Sequence, residues 1–184
     1  MTSLSDLSKK VKGLALMAAK ADRRTMILET LVTALSGLSV TLKDGSVIAA
    51  GNIVHNRDEL PAEKVPGIIL LDADEVRDLR YVQNQGRGER PGPGMMKMTP
   101  EIYVVLSVRK PQNVNVGEDL NLARAAIMNL VLHNKDLQAI TGSGGSIAYD
   151  GCVTDLARNR TMKGQMGLSF TFSYPFIPDE FSPA

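Results

Sequence analysis

Residues whose types and spacing could support chemistry fall into four groups, and each group requires a particular setting. The glycine-rich segments come first. Residues 85 to 94, QGRGERPGPG, hold four glycines, two prolines and two arginines. A phosphate cradle needs such a backbone to feed a helix N-terminus, with a lysine to hold the phosphates. No Lys-Ser or Lys-Thr follows Gly86-Arg87-Gly88, and no helical spacing begins there. The second segment, TGSGGS at 141–146, follows a helical pattern rather than a strand, so it lacks a dinucleotide-binding setting. Neither segment reads as a nucleotide site.

Hydrolytic and metal chemistry form the next two groups. The chain has no G-x-S-x-G elbow, and Ser143 reads as part of a turn. His55, beside Asn56 and Arg57, reads as a polar strand end, and His133 as a helix-end cation or donor. The acids Asp72, Asp74 and Glu75 have no further ligands at a fixed spacing and read as a solvated strand end, as do Asp150 and Asp155. Cys152 is the only cysteine, which excludes an intrachain disulfide and a cysteine zinc site. It reads as a small packed or edge thiol. No cofactor and no metal is expected.

The last group is basic. Arg77, Arg80, Arg87 and Arg90 punctuate the middle of the chain near Tyr81. A nucleic-acid face would need a cleaner field, because Asp72, Asp74, Glu75, Asp78 and Glu89 interleave with these cations. Net charge is +1 and aromatic content 4% with no Trp, leaving few stacking platforms for single strands.

These residues depend on the elements that carry them. Leu4, Leu7, Val11, Leu14 and Ala18 predict an amphipathic helix, with Ser3 and Asp6 at its start. Asp22 is a plausible N-cap for a second helix with the stripe Ile27, Leu31, Ala34, Leu35 and Leu38, stopped at Gly37. Leu38, Val40 and Leu42, then Asp44-Gly45, then Val47, Ile48 and Ala49 predict a β-hairpin. Residues 67–72 read as a buried strand ending in acids, and residues 73–98 show no clear period. A strand over 102–108 has both faces covered. A helix begins near Glu118 and Asp119, whose charge suits its N-terminal end, and closes near His133. A short turn spans 136–140, residues 146–156 are extended, and Met166, Leu168, Phe170, Phe172 and Tyr174 alternate with polar residues along a final strand.

This order predicts an α+β fold: a mostly antiparallel sheet with two to three helices packed on one face. At 184 residues, with 43% hydrophobic and 22% charged residues, the chain suits one domain. Residues 1–21 form a helical extension, 84–98 a flexible arm and 176–184 a tail. No run approaches the roughly 18 to 20 apolar residues of a membrane span, and the N-terminal segment lacks the marks of a leader; a soluble intracellular protein is expected. An arm of about 14 residues reaches at most roughly 45 to 50 Å, enough to cross onto a neighbouring subunit.

Several pieces carry a family resemblance. They are Arg23-Arg24 with ILETLVTAL, then NIVHNRDELPAEKVPGIILLDADE, YVVLSVRK, NLARAAIMNLVLHNKDLQAITG and GQMGLSFTFSYPF. Their order, over roughly residues 22 to 175, resembles the tail terminator proteins of long-tailed bacteriophages, also called minor tail or tail completion proteins. The resemblance implies an α+β subunit, not an enzyme. It implies a hexameric ring at the head-proximal end of the tail that ends tube polymerisation. The implied partners are further copies of the chain, the tail-tube protein, a neck or head-completion protein and the tape-measure protein. DNA would pass through the lumen without specific binding. The implied location is the virion, at the tail end near the head, after assembly in the host cytoplasm. Residues 3–19 and the Gly/Pro/Arg arm depart from the compact pattern. Arg77, Arg80, Arg87, Glu89 and Arg90, with Asp72 and Asp74, are the expected subunit or tail-tube contacts.

Overall fold

In a computed structural model, residues 22–72, 74–78, 94–107, 115–156 and 163–176 are described. The expected helix at 3–19 lies outside them. Helix α1 (Arg23–Ser36) starts where Asp22 caps it, accepting from the Thr25 N–H at 2.8 Å. Its buried residues Ile27, Leu28, Leu31 and Leu35 make one stripe, and Gly37 closes it by donating to Thr33 and Ala34. Strands β1 (Val40–Thr41) and β2 (Val47–Ile48) form the expected hairpin, a separate two-stranded ribbon. Gly45 takes φ +80 at its turn, and the Asp44 side chain accepts from the Ser46 N–H.

The main sheet contains β3 (Ile53–His55), β4 (Gly67–Leu71), β5 (Glu75–Arg77), β6 (Met95–Met98), β7 (Glu101–Ser107), β8 (Ser146–Leu156) and β9 (Lys163–Pro175). The order is β3-β4-β7-β9-β6-β5, with β8 paired to β9. Every pair is antiparallel except β3–β4. The register simplifies this list. Met95 faces Pro175 and Met98 faces Phe172; Glu101 then faces Ser169 and Ser107 faces Lys163. Strands β6 and β7 are therefore one line along β9, interrupted at Thr99-Pro100. Strands β4 and β5 lie along that line in the same way, on β7 and β6 respectively. The sheet is thus five lines wide, bounded by β8 on one side and by β3 and β5 on the other.

Residues 73–98, expected to be without regular structure, contain β5 and β6, so the segment at 84–98 is not an arm throughout. Its last four residues are sheet. Strands of three and four residues are too short for alternation to register, and MMKM offers little polarity contrast. A second correction concerns 136–140, expected as a turn. After α2 (Val116–Leu132), residues Lys135–Thr141 form helix α3. Asn134 caps it by accepting from Asp136 and Leu137, and Leu137 and Thr141 are buried one turn apart.

The three helices cover one sheet face. Ile68, Leu70, Ile102, Val104, Leu106, Met166, Leu168, Phe170 and Phe172 join the helix stripes there in one core. The fold is α+β, a mostly antiparallel mixed sheet with helices on one side. On the opposite face a small cluster of Val54, Leu60, Ile69 and Val105 closes under the segment between β3 and β4.

Candidate subunit interface

Asp72 follows β4 directly, and β3 brings His55 beside it because the two strands run parallel, with His55 opposite Leu70. His55 Nε2 lies 2.6 Å from Asp72 Oδ1, the Asn56 amide donates to Oδ2 at 3.0 Å, and the Asp72 N–H donates back to Asn56. Asn56 holds φ +52, a conformation Asn tolerates, which turns its side chain toward Asp72. Partial burial pushes the Asp72 carboxyl up; the bonds from Asn56 and His55 and the charges of His55 and Arg24 outweigh it and hold the carboxyl below its usual range. Arg24 reaches this cluster from the first turn of α1. With Leu28, Val32 and Glu29 it lines a cleft of about 630 Å³ against His55 and Asp72.

Glu75 opens β5. It accepts a hydrogen bond from the Tyr174 hydroxyl across β6. Burial and that bond push the Tyr174 phenol far up, so it stays a neutral donor. Asp74 is exposed. Arg77 ends β5, exposed, with its guanidinium over Gly94; a Cβ on Gly94 would lie 3.4 Å from Arg77 Nε. Asp78 is buried rather than solvated among the arginines, and its N–H donates to Met95. Gly94 accepts from the Phe176 N–H, so the first residue of the expected 176–184 tail is tied to the sheet. Arg80, Arg87, Glu89 and Arg90 lie outside the described residues. Of the expected contact residues, Asp72, Asp74 and Arg77 therefore lie along the β4–β5 line on one side of the sheet.

The remaining candidates resolve into structure. Asp119 is fully buried in the first turn of α2 and accepts from the Lys43 N–H at 2.7 Å. It ties the β1–β2 ribbon to the helix, a role beyond charge at a helix end, while Asn115 caps α2. Arg23 donates to the Ile140 carbonyl, joining α1 to α3. In TGSGGS, Gly142 and Gly144 take positive φ, and a Cβ on Gly145 would meet the Thr141 carbonyl oxygen at 2.2 Å. This segment is a tight helix-to-strand turn. His133 sits at the end of α2 beside the Asn129 carbonyl. Cys152 is an exposed thiol on β8. Among the described residues no group of His, Cys, Asp or Glu is arranged to hold a metal ion, and no helix is long and apolar enough to cross a membrane.

One feature arises only from strand pairing. On the outer sheet face, Tyr103, Gly167 and Val153 lie in one row across β7, β9 and β8. They floor a pocket of about 380 Å³ rimmed by Glu101, Asp155, Gln165 and Ser169. The Tyr103 hydroxyl donates to Glu101 at 2.5 Å. The ring lies over Gly167, where a Cβ would sit 2.8 Å from it. Alternation assigns these residues to the polar face, but only strand register brings the three together. Val153 is 78% exposed, the largest value among exposed large hydrophobic residues of the described chain.

No family model and no curated protein sequence matches the chain.

Proposed function

We propose that this chain is a structural virion protein, a tail terminator that closes into a hexameric ring on the head-proximal end of a phage tail tube. The observation that carries this reading is the open side of the sheet. Along the outer edge of the 11-residue strand β8 no strand is paired among the described residues. The outer face beside it exposes Val153 and the Tyr103 pocket. A long free edge beside exposed apolar surface is what a monomer hides and an assembling subunit uses. The opposite boundary, β3 and β5, differs from β8 in length and charge, so a contact between the two sides would be head-to-tail, the kind that can close a ring. The ring order of six and the tail location follow from the resemblance of residues 22 to 175.

In this reading the ring ends tube polymerisation, meets the tail-tube, tape-measure and neck proteins, and leaves DNA to pass its lumen. The acids Asp72 and Asp74 and Arg77 on the β4–β5 side contribute subunit or tube contacts. The test is to add the purified protein to tails lacking a terminator and image the tail ends by electron microscopy. One six-fold ring per tail, with tail length fixed, is expected. Long tubes would move the protein to the tube class, rings bound only to the head portal would move it to the neck class, and no association would overturn the reading.

A further inference from the structure

We propose that the outer-face pocket over Gly167 receives the Arg77 side chain of a second copy of this chain. The proposal rests on the ring reading for the existence of a neighbour; the site itself is argued from the pocket. Two carboxylates stand at opposite corners of it, Glu101 on β7 level with Ser169 and Asp155 on β8 level with Gln165, and among the described residues its lining contains no cation. Between them lies the Tyr103 ring, held in place because Gly167 has no Cβ and because Glu101 accepts its hydroxyl. An aromatic face flanked by two carboxylates is a binding site for a guanidinium, which stacks on the ring and forks its N–H groups to oxygen. Val153 adds an exposed apolar wall suited to the aliphatic stem of such a side chain.

The sheet order supplies the donor. The pocket lies at the β8 side, and β5 lies on the opposite boundary of the same sheet. A head-to-tail contact joins two different sides of a chain, and these two lie opposite each other in the sheet. Arg77 is the cation on β5, exposed and extended over Gly94, and its neighbour Val76 is 54% exposed. Each side thus presents one exposed valine, with opposite charge beside it.

The test is a charge swap read by analytical ultracentrifugation and electron microscopy, with circular dichroism checking the fold. Glu101→Arg with Asp155→Arg is expected to weaken self-association about tenfold or more. Arg77→Glu alone is expected to do the same, and mixing the two folded variants should restore mixed assemblies, because each supplies the other's complement. Glu101→Gln with Asp155→Asn, which keeps the shape, should weaken assembly in the same direction. Normal rings from the double arginine variant would overturn the pocket and leave the ring reading intact. So would normal rings that no longer bind tails, which would assign the pocket to a tail protein. Loss without restoration on mixing would overturn Arg77 as the donor. A wild-type chain that never self-associates, alone or on tails, would overturn both.

Discussion

Strand β9 writes two different surfaces with alternate residues. Met166, Leu168, Phe170 and Phe172 point toward the helices and are almost wholly buried, while Gln165, Gly167 and Ser169 point the other way and stay half-exposed. The neighbouring strand repeats the division, with Ile102 and Val104 inside and Glu101 and Tyr103 outside. The inner face is a core whose contacts are complete within one chain. Among the described residues the outer face closes only near β3 and β4, where Leu60 and Val65 cover Ile69 and Val105, and is open from Tyr103 to Val153. Stability is therefore concentrated on one side, and the exposed surface that the proposed ring would use lies on the other.

The sharpest break of that comparison is a pair of substitutions on adjacent residues. Phe170→Ala empties a fully buried site against Tyr149, whose ring centroid lies 5.4 Å away. It should cost about 3 to 5 kcal/mol in urea unfolding. Ser169→Ala, one residue away on the outer face, should stay within about 0.5 kcal/mol. Similar costs for both would mean that the outer face is also core.

Next in size is Asp119→Ala. It leaves the Lys43 N–H without its buried acceptor and should cost about 1 to 3 kcal/mol. Faster hydrogen exchange confined to the β1–β2 ribbon is the expected signature. Uniform exchange would show that the ribbon does not depend on this tie.

Tyr174→Phe tests the rim of the inner face and should cost about 1 kcal/mol near neutral pH by removing the bond to Glu75. Because the folded state raises the phenol's pKa, its contribution is full below the ordinary tyrosine value and is lost as pH rises through the folded one. The wild type should therefore lose stability on the alkaline side faster than the variant. Parallel alkaline limbs would remove Tyr174 from the account.

The two faces were not equally legible in sequence. Phe170 to Tyr174 alternate so regularly that the inner face could be read directly, and Asp22 marked its helix by cap chemistry. Strands β5 and β6 could not be read, because three exposed residues and four with little contrast gain their order only by pairing with β9 and each other. Helix α3 was hidden for a related reason: seven residues give two buried positions, too few for a period. The outer pocket was least legible. It exists because Tyr103 and Gly167, 64 positions apart, share a register pair, and no local pattern encodes that pairing. Asp72 was visible as a strand-end acid, but its partner His55 depended on the parallel pairing of β3 with β4.

Gly167→Ala sharpens the comparison from the outside. The added Cβ meets one side of the half-exposed Tyr103 ring, 2.8 Å from Cε1 and 3.2 Å from Cδ1, so the ring must turn outward from its seat beside Glu101. Stability should change by less than about 1 kcal/mol. The same methyl lifts the ring from the pocket floor, so self-association should fall while thermal unfolding barely moves. A loss of stability comparable to Phe170→Ala would mean that Tyr103 is a core residue.

The smallest effect belongs to Asp72, at the link between β4 and β5. Its carboxyl is held below the usual range, so the folded state binds its proton less readily than the unfolded chain does. The resulting stability is present above the ordinary carboxylate pKa and is lost as pH falls through the depressed folded value. The side chain is 29% exposed, so the contribution, reduced by solvent screening, should be below about 1 kcal/mol. Asp72→Asn should flatten the acid limb of the unfolding curve slightly, and added salt should shrink the difference between variant and wild type. His55→Ala should act in the same direction, because it removes a hydrogen bond and a charge from the same carboxylate. An acid limb unchanged in both variants would assign acid sensitivity to other carboxylates. The His55–Asp72 pair would then be an ordinary surface contact with no share in stability.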